Sequence, residues 1–273
     1  MVYYKMLIYF IAFILSYSSP LPVVVLHGIL SDTTEVYPVQ NWLEQNTDNK
    51  VFNLEIGNGK LDSFFKPMMW QLNTLCNTIY GIPDLENGFN FIGLSQGGLL
   101  ARGYVEWCNK YPVFNLMTWG TPHSGLYYLD TDFHNVYTPY NQGHLSYSGY
   151  WKDPMRYSRY LSSASFLPIM NNEKSINTSI KTNMESLKNF VMVWSKVDGV
   201  IEPIESCTFG YYKTNTYVLE SLFESRQYTE NLIGLKTLRE NNQLHMFEVD
   251  CIHTDFKTKS CLDSMRNITL QYV

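Results

Sequence analysis

Three side chains suited to acyl transfer stand in an order that a fold could bring together. They are Ser95 in Gly93-Leu94-Ser95-Gln96-Gly97, Asp198 ahead of Gly199, and His253 in Asp250-Cys251-Ile252-His253-Thr254-Asp255. A serine hydroxyl is a poor nucleophile until a base takes its proton, and that base needs an acid to hold its tautomer and stabilise its charged form. Ser95 carries the strongest signal of the three. A short apolar run (Phe89, Phe91, Ile92) precedes the pentapeptide and a helix-forming run (Leu99, Leu100, Ala101, Arg102, Tyr104, Val105) follows it. The serine is therefore expected on a tight strand-to-helix turn that presents its hydroxyl. The glycines two residues to either side have a steric purpose, because side chains there would strike the neighbouring strand and helix.

The competing candidates are weaker for physical reasons. Of six histidines, only His245 and His253 follow a plausible acid near the C-terminus. His245 falls inside a strand, where its ring would face one side of a sheet, whereas His253 sits in the loop beyond. His27 reads as a structural residue pinning its loop, and His123 in Gly120-Thr121-Pro122-His123 as one that shapes a pocket. Asp250 and Asp255 are too near His253 in sequence to approach its ring from the opposite side, and Asp130 and Asp132 lie in a long intervening segment. Asp198 follows a buried strand, with a glycine that lets the loop turn; the rival reading is an ordinary turn aspartate. The main-chain N–H groups of Ile29 and Gln96 are the expected oxyanion donors, one from the loop after an early strand and one from the residue after the nucleophile.

These residues need a sheet to hold them. Apolar runs at Val23–Leu26, Val51–Ile56, Phe89–Ile92, Phe114–Trp119, Phe190–Ser195 and Leu244–Val249 read as strands. Helices are expected over Pro38–Gln45, Pro67–Tyr80, the run after Ser95, Leu232–Asn241 and Ser260–Tyr272. Such alternation belongs to a doubly wound, mostly parallel sheet with helices on both faces. With the serine turn, it predicts an α/β-hydrolase. Residues 126–187 break the rhythm, being too long for a simple connection and rich in aromatic rings, and read as an inserted cap or lid. Its rings could hold an acyl chain or pack the insertion's own small core.

A chain of 273 residues with 45% hydrophobic content can bury one sizeable core, so one domain is expected over 20–273. A net charge of −5 offers no basic footprint for nucleic acid. Lys5 followed by the apolar stretch 6–15 and Ser16-Tyr17-Ser18 reads as a signal peptide over 1–19, removed on export. That stretch is too short to span a bilayer, so no transmembrane anchor is expected after cleavage. Export makes disulfides possible among Cys76, Cys108, Cys207, Cys251 and Cys261. A Cys76–Cys108 bridge would close a loop of about 33 residues around the nucleophile, a nominal ~3 to 4 kcal/mol. Cys251 with Cys261 is the next plausible pair, which leaves Cys207 over. Asn177-Thr178-Ser179 and Asn267-Ile268-Thr269 are glycosylation sequons suited to the same compartment. No cofactor and no metal are expected, and the protein is expected to be a monomer.

Several stretches together resemble the palmitoyl-protein thioesterase family, and look closer to its lysosomal type-one member. They are Val25-Leu26-His27-Gly28-Ile29, Gly93-Leu94-Ser95-Gln96-Gly97-Gly98, Tyr150-Trp151-Lys152-Asp153-Pro154, Ser165–Glu173, Phe190–Val193, Asp198–Ser206, Phe209–Tyr212 and Ile233–Leu238. The resemblance implies a triad of Ser95, Asp198 and His253, oxyanion donors at Ile29 and Gln96, a Cys76–Cys108 bridge and a glycan at Asn177. Cys-Ile-His-Thr at His253 departs from the family's glycine-rich approach to this histidine. The implied substrate is a palmitoylated protein or peptide, or a related acyl thioester, met in the lysosome or after secretion. Nothing in the triad itself separates thioesters from oxygen esters. The alternatives are a secreted lipase or carboxylesterase, and a hydrolase-fold binding protein without activity.

Overall fold

The computed structural model describes residues 20–129, 131, 133 and 135–273. The expected signal peptide, 1–19, lies outside them. Six strands form one sheet: β1 (Val23–Leu26), β2 (Val51–Leu54), β3 (Phe89–Leu94), β4 (Val113–Trp119), β5 (Asn189–Trp194) and, after a small antiparallel hairpin of β6 (Tyr211–Tyr212) and β7 (Leu219–Glu220), β8 (Leu244–Glu248). Their order is β2-β1-β3-β4-β5-β8 and every neighbouring pair in this sheet is parallel.

Side chains alternate between the two faces, as the pleat requires. Val24, Leu26, Phe91 and Phe190 enter one apolar core, while Val23, Val25, Ile92 and Val191 enter the other. The first core is closed by α3 (Met68–Tyr80), α4 (Gln96–Trp107), α8 (Thr178–Glu185) and α10 (Leu235–Glu240); the second by α1 (Thr33–Asn46) and α11 (Lys259–Ser264). Burial on both faces accounts for the unbroken apolar run of β1. The architecture is that of an α/β-hydrolase.

Other elements are α2 (Lys60–Phe65), then α5 (Pro139–His144), α6 (Tyr157–Ser163) and α7 (Leu167–Met170) within 126–187, α9 (Arg226–Thr229) and α12 (Arg266–Thr269). Several boundaries differ from expectation. The helix expected at Pro38–Gln45 starts at Thr33 and carries Pro38 inside it, because the Asp32 carboxylate accepts the Thr34 and Glu35 amides and caps it earlier. The strand expected to reach Ile56 stops at Leu54, and the C-terminal helix is broken at Met265 into α11 and α12. The helix expected from Leu232 begins only after Gly234, which is left-handed at φ 90°. Within 126–187, α8 packs on α4 and occupies the crossover position between β4 and β5.

Cys76, in α3, is bonded to Cys108 at the end of α4, and Cys251 to Cys261; Cys207 is a buried free thiol. Asn177, which caps α8, and Asn267 are both exposed.

Candidate active site

The chain leaves β1 for β2 on one side and returns to β3 on the other, which makes the carboxyl end of β1 and β3 a switch point with a crevice. Two turns meet there. Ser95 follows β3 and caps α4 with φ 53° and ψ −123°, a conformation side chains rarely adopt, and its amide is held by the Trp119 carbonyl at 2.8 Å. The turn closes only because its flanks are bare. A Cβ on Gly97 would lie 2.3 Å from the His27 carbonyl oxygen, and one on Gly93 would lie 2.6 Å from that of Gly97.

Ser95, Asp198 and His253 converge across this edge. His253 Nε2 is 2.9 Å from Ser95 Oγ, and its Nδ1 is 2.7 Å from Asp198 Oδ2. The other carboxylate oxygen, Oδ1, accepts the amides of Val200 and Ile201 at 2.9 Å each, and the His253 amide donates to the Asp198 carbonyl at 2.9 Å. Asp198 is thus fixed from both sides and almost fully buried, while the His253 side chain retains 14% exposure. A buried carboxylate facing Nδ1 leaves Nε2 free to accept a proton from Ser95.

The sequence singled out no role for Ser195, yet this buried hydroxyl accepts the amides of Val197 and Cys251 at 3.2 and 3.3 Å. It ties the root of the Asp198 loop to the root of the His253 loop. With the Cys251–Cys261 bridge, it fixes the histidine loop. A serine at a strand end carries no distinguishing signal, so only the packing reveals it. Gln96 contributes more than its amide. Its buried side chain donates to the Ser63 carbonyl at 2.8 Å and accepts from the Tyr150 hydroxyl at 2.9 Å, joining the nucleophile turn to residues 126–187.

Three of the other described histidines are held within the fold, among them His123, expected from the sequence to shape a pocket. His27 Nε2 meets Glu55 Oε1 at 2.6 Å, pinning the loop as expected. Burial works against a charged Glu55, but the His27 contact and the Thr33 amide outweigh it and hold the carboxyl below its ordinary range. His245 sits in β8 beside Asn189. His123 is wholly buried, with Nε2 2.9 Å from Thr118 Oγ1 and its ring stacked on Phe209 at 4.7 Å. Burial, aided by the positive Arg102, pushes its pKa well below the usual imidazole value. Asp250 and Asp255 make no hydrogen bond or ion pair with the His253 ring, and Asp130 and Asp132 lie outside the described residues.

Two clefts open at Ser95. One, of about 310 Å³, is apolar and lined by Phe64, Leu126, Phe133, Tyr147, Trp151 and Ile201 among others. Residues 126–187 thus furnish wall as well as core: Tyr128, Phe133, Tyr147, Tyr150 and Trp151 reach this cleft, whereas Tyr160 and Phe166 are sealed in the interior. The other, of about 260 Å³, has mixed walls.

The sequence pattern described as palmitoyl protein thioesterase matches residues 22–253. The chain belongs to that family. Palmitoyl-protein thioesterase 3 of Dictyostelium discoideum is 36% identical over 94% of this chain and 93% of its own. The lysosomal thioesterase PPT2 homolog of Drosophila melanogaster is 32% identical over 82% of each chain, and palmitoyl-protein thioesterase 1 of Caenorhabditis elegans is 33% identical over 65% of each. Among solved structures, a lipase-esterase related protein from Clostridium acetobutylicum superposes with TM-score 0.49 at 14% identity, over 94% of this chain and 96% of that one.

Proposed function

We propose that the protein hydrolyses long-chain acyl thioesters, palmitoyl thioesters of proteins or peptides foremost, through an acyl-enzyme on Ser95. The observation that carries an acyl-enzyme and a long acyl group is the unbroken Ser95–His253–Asp198 chain of contacts opening on an apolar cleft, and membership of the thioesterase family carries the thioester. Ser95 Oγ attacks the acyl carbonyl while His253 Nε2 takes its proton, and Asp198 stabilises the imidazolium. The developing oxyanion is held by the amides of Ile29 and Gln96; the Gln96 amide, at the first turn of α4, has no intrahelical carbonyl to bond. Removing such a donor typically costs ~3 to 4 kcal/mol of barrier. Water then attacks the serine ester by the same route. The cleft walls from 126–187 cap the acyl chain.

Two disulfides, the apolar stretch at 6–15, exposed Asn177 and Asn267, and relatives named as lysosomal support a lysosomal or secreted, glycosylated protein. No helix among the described residues is long and apolar enough to cross a membrane.

The test compares turnover of palmitoyl-CoA with that of p-nitrophenyl palmitate, using Ser95→Ala as control. The thioester should be the better substrate and Ser95→Ala should abolish both reactions. A strong preference for the oxygen ester would favour a lipase or carboxylesterase instead.

A further inference from the structure

The two clefts differ in a way that assigns the halves of the substrate. Ile29, Ser95 and Val200 line both, but His253 lines only the second. In acyl transfer the imidazole that deprotonates the nucleophile must return that proton to the leaving atom. The leaving group therefore departs on the His253 side. There the walls include Leu30 and Val36 beside Ser31, Thr254, Glu35 and Lys257, and the pair Glu35 and Lys257 leaves no net formal charge. Lys257 Nζ donates to Glu35 Oε2, and Lys60 Nζ holds the other oxygen at 2.6 Å, with Asp32 behind it at 3.7 Å. The hydrogen bonds from Lys257 and Lys60 keep the Glu35 carboxyl below its ordinary range, hence ionised.

We infer that the second cleft holds the thiol half of the substrate, and that Glu35, by neutralising the Lys257 ammonium, sets how far the enzyme discriminates between anionic and uncharged thiols. The inference rests on the thioesterase reading above. As the Ser95 ester forms, the acyl carbon–sulfur bond breaks and its electron pair passes to sulfur, which receives the proton from His253 Nε2. A thiol bearing phosphates passes Lys257 on its way out, but the ammonium is matched by Glu35 and offers it little attraction. Removing the carboxylate exposes that charge.

The test measures kcat/KM of the full chain with palmitoyl-CoA, which is polyanionic, and with S-palmitoyl-N-acetylcysteamine, which is uncharged. Wild type, Glu35→Gln and Lys257→Gln are compared at low and high ionic strength. Glu35→Gln should raise the ratio of CoA to uncharged substrate by roughly three- to tenfold at low salt, Lys257→Gln should lower it, and both shifts should collapse near ~0.5 M salt as charges are screened. Ratios moving less than about twofold in both variants, or moving equally at high salt, would reduce the pair to a strap between α1 and the His253 loop. Wild type that turns over neither thioester through Ser95 would instead bring down the thioesterase reading itself, and this inference with it.

Discussion

Two histidines stand just past carboxyl ends of strands in the same sheet, each 2.9 Å from a hydroxyl, and their surroundings send them to opposite fates. His253 has the Asp198 carboxylate on its second nitrogen and a cleft at its edge. His123 has Thr118 on one nitrogen, no partner among the described residues on the other, Arg102 nearby and no exposure. A contact between imidazole and hydroxyl does not by itself make a base. The carboxylate that fixes the tautomer, and an opening through which substrate can reach Nε2, make the difference.

The sharpest break of this contrast is Asp198→Asn. The amide oxygen can still accept from Val200 and Ile201, but its NH2 would face Nδ1 and force the wrong tautomer, so kcat should fall by ~10⁴ with little change in folding. Circular dichroism and thioester turnover check both halves; a fall under about tenfold would mean that Asp198 is not the orienting acid.

At the other histidine the effect should be on stability. His123→Ala should cost ~2 to 4 kcal/mol through the cavity left beside Phe209 and Phe190, while fluorophosphonate labelling of Ser95 persists in the folded protein. Its pH dependence follows from the depressed pKa. The unfolded ring protonates near about pH 6.5 and the folded ring resists, so the stability the neutral ring contributes is present above that value and lost as pH falls below it. The gap between wild type and variant in denaturant titrations should narrow from about pH 7.5 to about pH 5. A gap that widens on acidification would show that the buried ring gains a proton.

The smallest effect expected is at Ser195→Ala, which strips the acceptor from two amides. It should lower kcat by about tenfold with KM little changed, since it loosens the Asp198 and His253 loops without touching either cleft. An equal loss in KM would point to a wider collapse of the edge.

Much of this was legible from residue types. The serine turn announces itself because its glycines and its strand-to-helix switch are local features, and Asp198 and His253 follow from chain order and from lying just beyond apolar strands. What stayed hidden is long-range. Ser195 and the Gln96–Tyr150 contact join segments far apart in sequence, and no local pattern encodes such a meeting. Helix boundaries failed for the opposite reason, a local competition: the Asp32 cap won over the preference of Pro38 for a first turn. The aromatic segment could not be divided by composition into wall and core, because tyrosine suits both.

The account turns on a covalent ester at Ser95. Protein incubated with S-palmitoyl-N-acetylcysteamine and quenched in acid within the first turnovers should yield, on peptide mass analysis, a palmitoyl group on the peptide carrying Ser95. The adduct should disappear with time in wild type and be absent in Ser95→Ala. Hydrolysis of the thioester with the acyl group found on another residue, or undiminished in Ser95→Ala, would contradict it.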